Sequence, residues 1–372
     1  MKTEQKPRLW YIDNLRIFLI SLVVLHHLAI TYGAPGDWYY NETQLDFPAI
    51  VPMTWFVATN QSFFMGMFFF ISALFILPSL NKKGNKKYIK DRLIRLGVPL
   101  VVFFFVLSPL TIFTRNRFIR GEDVSLADYL LHGCGTGFGP LWFVEALLVF
   151  TAFYLLFRKI SSVKITIDFP GTLVILLVAF LTGLLQFIIR IWLPVGWSLP
   201  FTGFQIPFFV QYIVLFVLGI IAYQNNWLES VSLKSGKRWF IFAQILILIV
   251  FPPIIYFGGI EKGVDVFTGG FTWQCFSYAV WEQLVGFSLT LGLLGLAKKY
   301  FNRQGKVAKQ LSGSAYGVFV FHTPVIVSVS AIFLSWETFP IVKFVMLAPL
   351  ALVLVFCVAF LFRKLPLVKK IL

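Results

Sequence analysis

YIDNLRIFLISLVVLHHLAI, residues 11–30, has the length and apolar character of a membrane-crossing helix, yet it carries Asp13, Arg16, His26 and His27. A span needs about 20 mainly apolar residues. Ionisable groups within one are costly unless they face a protein interior or a water-filled passage. His27 lies eleven residues after Arg16. Eleven steps of a 3.6-residue helix make about three turns, so the two side chains share one stripe roughly 16 Å apart along the axis. His26 points about 100° away from His27 and reads as a structural neighbour. The stretch predicts a transmembrane helix with a polar stripe turned inward.

The rest of the chain repeats that pattern. Of 372 residues 58% are hydrophobic and 13% charged, where a soluble domain has about a quarter charged. Apolar runs of spanning length fall at 11–32, 54–79, 93–114, 140–157, 171–193, 204–223, 239–257, 272–297, 312–334 and 341–362. The expected fold is an all-α polytopic integral membrane protein of about ten transmembrane helices, one transmembrane domain over residues 1–372. A β-barrel would show short alternating segments instead. Connecting stretches of about 20–25 residues are too short for an appended soluble domain. MKTEQKPRLW at the N-terminus is basic, but no small-residue cleavage site follows, so it does not read as a removed signal. No inverted repeat of the kind common in transporters is visible.

Charge sets the expected orientation. Alternate connections carry 25 of the 32 basic residues, among them Lys82, Lys83, Lys86, Lys87, Lys90, Arg158, Lys159, Lys164, Lys298, Lys299 and Lys364, with Lys2 and Lys6 ahead of the first span. The opposite loops hold Asp37, Glu42, Asp46, Glu122, Asp123, Asp128, Glu261, Asp265 and Glu337. The positive-inside rule places both termini in the cytoplasm, in a plasma or inner membrane. A formal charge of +16 spread in this way suits anionic headgroups and argues against nucleic acid as a partner. Cys134, Cys275 and Cys357 are scattered without ligand spacing, so no metal site is expected.

Several polar residues fall inside the spans. Asn60, Gln61 and Ser62 lie near the outer end of the second, where Gly66 and Ser72 allow close helix packing. In NKKGNKKYIKDRLIRLGVP, residues 81–99, the lysines read as solvated loop charges. Arg92 and Arg95, three apart, share a face at the start of the third span. They suit either a phosphate-rich ligand or simple anchoring. Glu145, in GPLWFVEALLVF, sits about 8 Å inside the outer boundary, and Glu282 lies deeper, in YAVWEQLVG, with no evident partner. His322 is followed by Thr323-Pro324 in LSGSAYGVFVFHTPVIV, with Ser314 and Tyr316 nearer the inner end. Pro324 frees a carbonyl one turn back and allows a kink. His132, in a Gly-rich outer loop, reads as solvated. A polar stripe of this kind suits a membrane enzyme or a permease for a polar or anionic solute.

Taken in order, these residues resemble the membrane-bound acyltransferase family 3. An Arg, ten residues and a His in the first span are its hallmark, matched by Arg16 and His27 after the I-D-N-L segment at 12–15. The glycine-led, Phe-rich second-span motif is similar to Gly66 through Ala73. The R-x-x-R-x-x-x-P turn is similar to Arg92, Arg95 and Pro99. The Trp motif running into a carboxylate resembles LWFVE, ending at Glu145, without the longer acidic extension. The late S-x-Y…H-x-P element resembles Ser314, Tyr316, His322 and Pro324. The resemblance runs from about residue 8 to 335 and is to the short members, which lack an added extracytoplasmic hydrolase-like domain, as glucan-succinylating and other envelope-glycan acyltransferases do.

The resemblance implies transfer of an acyl group, of acetyl or succinyl type, from cytoplasmic acyl-CoA to a hydroxyl of an envelope glycan or lipid. Acyl-CoA is then a donor co-substrate, and no permanently bound cofactor is implied. Arg92 and Arg95 would meet the CoA phosphates, and Arg16 the acyl end. His27, Arg16, Glu145 and His322 would carry the chemistry. His27 would serve as general base or as a transient acyl carrier, and Arg16 or His322 as oxyanion support. The permease, or a catalytically inactive scaffold of the same fold, are the competing expectations.

Overall fold

An apolar chain in a lipid solvent must satisfy its backbone polar groups within each segment, which leaves helices as the local solution. The computed structural model describes residues 8–132, 137–161, 165–366 and 368–371. Lys2, Lys6, Cys134 and Lys164 lie outside the described residues, as do the side chains of His132 and Lys370. Ten described helices are long and apolar enough to span a membrane. They are α1 Trp10–Thr31, α2 Ile50–Lys83, α3 Asn85–Ile119, α4 Gly139–Ile160, α5 Thr172–Arg190, α6 Ile206–Gln224, α7 Leu233–Phe257, α8 Trp273–Tyr300, α9 Lys306–Ile332 and α10 Pro340–Arg363. The chain is a multi-pass membrane protein. An even number of crossings returns both ends to one face, here called the basic face; the other, carrying most acidic loops, is the acidic face.

Burial sorts the helices into two layers. α1, α2, α8 and α9 are the most enclosed, while α10 and α7 present most of their surface outward. Side-chain volume explains the inner packing. A Cβ on Gly66 of α2 would stand 2.6 Å from Leu215 Cδ1 of α6, so the close approach expected at Gly66 occurs there. Gly236 of α7 and Gly295 of α8 meet backbone to backbone, each leaving only 2.7 Å for a Cβ of the other. Small residues at such crossings let helices gain dispersion contact that lipid cannot offer.

The central pair is α1 and α9, which run in parallel from the basic face. Asn14 Nδ2 donates to the Phe301 and Arg303 carbonyls at 2.6 and 3.0 Å, bolting the start of α1 to the segment before α9. Lys309 Nζ lies over the Trp10 ring at 5.4 Å, and at the far end Tyr32 donates to Ser330 Oγ at 3.5 Å. That register brings His27 and His322 to one depth.

The basic stretch at 81–92 departs from the loop expected between the second and third spans. It is helical on both sides of Gly84, whose φ of 74° makes the sharp turn that a Cβ would disfavour. α3 then widens at Leu93–Gly97 and Phe103–Leu107, ahead of Pro99 and Pro109. A proline in a helix has no N–H for the carbonyl four residues back and crowds it. For Pro99 that carbonyl is Arg95 O, which accepts from the Tyr316 hydroxyl of α9 at 2.9 Å. The wide turn thereby ties the arginine pair of α3 to α9.

The α7–α8 crossing yields a stability prediction. Gly295→Val overpacks it at a cost of about 1–3 kcal/mol, read as a lower thermal unfolding temperature in detergent. Gly171→Ala, with open space around its Cα, leaves that temperature unchanged.

Candidate active site

His27 stands four residues before the end of α1 with its ring enclosed by other rings. Trp38, from the loop that follows α1, stacks on it at 3.9 Å between centroids and 19° between planes. The His322 ring of α9 lies at 5.1 Å and 27°, and His26 meets His27 edge-on at 5.7 Å. His322 Nδ1 is 2.7 Å from the Phe319 carbonyl oxygen. A carbonyl only accepts, so Nδ1 carries the proton and Nε2 of neutral His322 presents a lone pair. That Nε2 is buried without a protein partner, as is His27 Nδ1. Two imidazoles with free nitrogens, stacked inside a membrane bundle, are suited to proton or acyl-group chemistry.

A cavity of about 440 Å³ reaches His27 from the acidic face; His322, stacked on His27, does not line it. Asp37 and Asp265 stand at its rim, Gln61, Gln205 and Thr54 supply polar wall groups, and Trp142, Phe208 and Tyr278 supply aromatic faces. Val23, Phe64 and Phe319 form the floor around His26 and His27. Among the described residues, no Lys or Arg lines it. Sites for small organic ligands have this composition: mostly apolar walls with a few polar groups. Gln61, assigned to packing from sequence, both borders the cavity and donates to Tyr212 Oη at 3.0 Å. His26 borders it too, since Val23, His26, His27 and Ile30 form one face of α1 at i, i+3, i+4 and i+7 spacing.

The arginines gather at the other end. Arg16 Nη1 is 3.4 Å from Asp13 Oδ1, and the same carboxylate takes Arg8 Nε at 2.8 Å. Arg92 and Arg95 also lie within electrostatic reach of Arg16. Arg92 Nη2 donates to Thr151 Oγ1 at 3.4 Å, while its Nε is buried and unpartnered. Arg16 keeps 35% of its side-chain surface accessible, so the cluster remains open to a ligand. One carboxylate shared among several guanidiniums leaves a net positive patch suited to phosphate. Arg16, Arg92 and Arg95 do not line the cavity; between Arg16 and His27 the α1 stripe is filled by Ile20 and Val23, both buried. Glu145 lies in the second turn of α4, one turn after Trp142, with Oε2 buried and unpartnered. It too lies outside the cavity lining.

Three features escaped the sequence reading. Trp38 belongs to the outer loop GAPGDWYY, and no local pattern shows which ring a loop aromatic will cover. Glu282 has a partner: its Oε2 receives Arg190 Nη2 at 2.6 Å, and Gln186 Nε2 also donates to it. Gln283 Nε2 donates to Gln186 Oε1 at 2.8 Å. All four side chains are essentially fully buried. A Gln and an Arg one turn apart in LLQFIIRIW, facing Glu-Gln in α8, was the available signal. The Arg190 guanidinium also packs on Phe208 at 4.9 Å and Tyr278 at 5.3 Å, so the ion pair backs the aromatic wall of the cavity. Third, Lys343 of α10 is buried and pairs with Glu42 Oε1 at 2.7 Å, holding the loop that carries Trp38.

These features define a membrane-embedded site with a basic mouth, a histidine pair and a cavity on the acidic face. Residues 9–364 match the family model described as an acyltransferase domain, and the chain belongs to that acyltransferase family. Glucans biosynthesis protein C of Shigella dysenteriae serotype 1 (strain Sd197) is 26% identical over 171 residues, 44% of this chain and 42% of that protein. Proteins of the same name from Escherichia coli O1:K1 / APEC and O139:H28 (strain E24377A / ETEC) are 25% identical over the same length. The chain thus spans less than half the length of these curated relatives. No solved structure matches it.

Breaking the buried pair on one side leaves an uncompensated charge. Arg190→Met is expected to cost about 3–5 kcal/mol, and pairing it with Glu282→Leu to recover much of that loss. Thermal unfolding of the single and double variants in detergent checks this; a double variant no more stable than the single one contradicts it.

Proposed function

We propose that this protein is a membrane acyltransferase that takes an acyl group from acyl-CoA at the basic face and passes it to a hydroxyl on an envelope glycan or lipid. The observation that carries this reading is His27 bordering a cavity open to the opposite face while its ring stacks on His322. Membership of an acyltransferase family supports it over a permease. The basic face is read as cytoplasmic, from the distribution of Lys and Arg, which puts the arginine cluster where CoA is available.

The chemistry follows from the geometry. CoA phosphates lie against Arg92 and Arg95, with Arg16 next along the route to the interior. His27 is about 16 Å further along α1, a gap of the order of an extended pantetheine arm, which must part the packing around Ile20 and Val23 to reach it. The acceptor hydroxyl enters through the cavity and gives its proton to a free imidazole nitrogen. Its oxygen attacks the thioester carbonyl, the carbon–sulfur bond breaks, and the proton leaves with the thiolate as CoA thiol. In the alternative order, His27 attacks the thioester first and expels the thiolate, which takes the ring proton and leaves as CoA thiol. The hydroxyl then displaces imidazole from the acyl carbon, and its proton returns to the ring. Both routes balance and both use the same ring. The tautomer of His322 offers a lone pair and no free N–H, which suits a proton acceptor better than an oxyanion donor.

Two measurements test the reading. Membranes containing the protein are expected to move label from acyl-CoA to an envelope acceptor, with His27→Ala lowering the rate by about 10²–10⁴-fold, the usual worth of a general base. Full activity in His27→Ala at normal abundance contradicts it. For the donor end, Arg92→Ala with Arg95→Ala is expected to weaken acyl-CoA binding by at least about tenfold, since charge-assisted hydrogen bonds are lost. Unchanged acyl-CoA affinity by calorimetry returns both arginines to anchoring.

A further inference from the structure

A base that activates a hydroxyl acceptor also activates water, and the cavity opens to the acidic face at Asp37 and Asp265. Transfer without waste therefore needs water kept off the imidazole except where the acceptor binds. His27 borders the cavity and Trp38 does not, so Trp38 covers ring surface outside the cavity. It stacks on His27 at 3.9 Å and 19° and lies nearly parallel to His322 as well, at 5.9 Å and 22°. Its indole Nε1 is buried with no protein partner, so the ring is held by its surroundings and not by a hydrogen bond of its own.

Those surroundings come from several spans. Next to Trp38, the Tyr39 carbonyl accepts from Arg115 Nη1 at 3.3 Å, and the Tyr39 hydroxyl is 3.3 Å from Ser108 Oγ; both partners belong to α3. Burial pushes the Tyr39 phenol up, against smaller pulls from Ser108 and Arg115, so it stays a neutral hydroxyl. Glu42 is fixed by Lys343 of α10, and its backbone N–H donates to the Thr31 carbonyl at the end of α1 at 2.8 Å. Gly33 and Gly36, at φ of 107° and 152°, turn the chain so that the loop folds back over α1. The anchors make Trp38 a fixed wall.

We propose that Trp38 is a positioning residue that holds the His27 imidazole against His322 and shields it from water, with the Glu42–Lys343 pair clamping the loop that carries it. Its consequence for chemistry rests on the acyl-transfer reading above; the shielding does not. With Trp38 in place, the thioester carbonyl meets only the acceptor oxygen. Without it, water attacks instead, its proton passes to imidazole and then to the thiolate, and the products are free carboxylic acid and CoA thiol.

The test measures shielding and chemistry separately. Carbethoxylation of His27 by diethyl pyrocarbonate, located by peptide mapping of the folded protein in detergent, is expected to speed up about tenfold in Trp38→Ala and to stay within about twofold in Trp38→Phe. Glu42→Gln, which loosens the loop without touching the ring, gives a smaller rise. An unchanged rate in Trp38→Ala, or in Trp38→Leu where the alanine variant is not monodisperse, overturns the proposal. In the transfer assay, the ratio of acyl-CoA hydrolysis to acceptor acylation is expected to rise about tenfold in Trp38→Ala, with the acceptor KM little changed. Equal falls in hydrolysis and acylation reduce Trp38 to a packing residue and also overturn it. If the native protein transfers no acyl group, the function reading fails, while the modification rates still decide whether Trp38 shields His27.

Discussion

The parallel pairing of α1 with α9 is the constraint on which the site depends. A side chain that can ionise is tolerated inside a membrane bundle only where other protein groups or water replace the solvent it gave up. Here two helices meet that need for each other by register. Asn14 ties their basic-face ends through the 301–303 segment, and Tyr32 ties the acidic-face ends through Ser330. Between these fixed points His27 and His322 have no choice but to stack, and the Phe319 carbonyl then sets which nitrogen of His322 is free.

Around that axis the molecule separates charge by depth. The basic face carries Arg16, Arg92 and Arg95 with one shared carboxylate nearby, while the cavity from the other face has acidic rim groups and, among the described residues, no Lys or Arg in its lining. That charge distribution favours anionic groups at one end and uncharged polar groups at the other. The link between them is α3, whose Pro99 leaves the Arg95 carbonyl to Tyr316 of α9. Tyr316 stands nearly two turns below His322 on the same helix. The Arg190–Glu282 pair plays a different part. It lies behind Phe208 and Tyr278 and stiffens the cavity wall without reaching the cavity itself.

Much of this was legible in the sequence, for a physical reason. Spanning helices are announced by length and apolar content, and all ten appear where the apolar runs lie. Helical periodicity placed Arg16 and His27 on one stripe because a straight helix carries its own geometry. The KKGNKK segment misled, since charge suggests a loop, whereas Lys and Arg are good helix formers and a single glycine supplies the turn. Which residues pair, Arg190 with Glu282 and Trp38 with His27, was harder to read because each pair joins segments far apart in the chain, although Gln186 and Arg190 one turn apart did signal a polar face in α5. Neither apolar periodicity nor charge count reports which faces meet. Tertiary register alone brings a loop indole over an imidazole.

The central claim is that one site joins a donor on the basic face to an acceptor on the acidic face. Sealed vesicles of uniform orientation, with labelled acyl-CoA supplied only to the basic face and acceptor only to the acidic face, test it most directly. The account predicts label on the acceptor without leakage of acyl-CoA. Acylation seen only when both substrates share one face would contradict it.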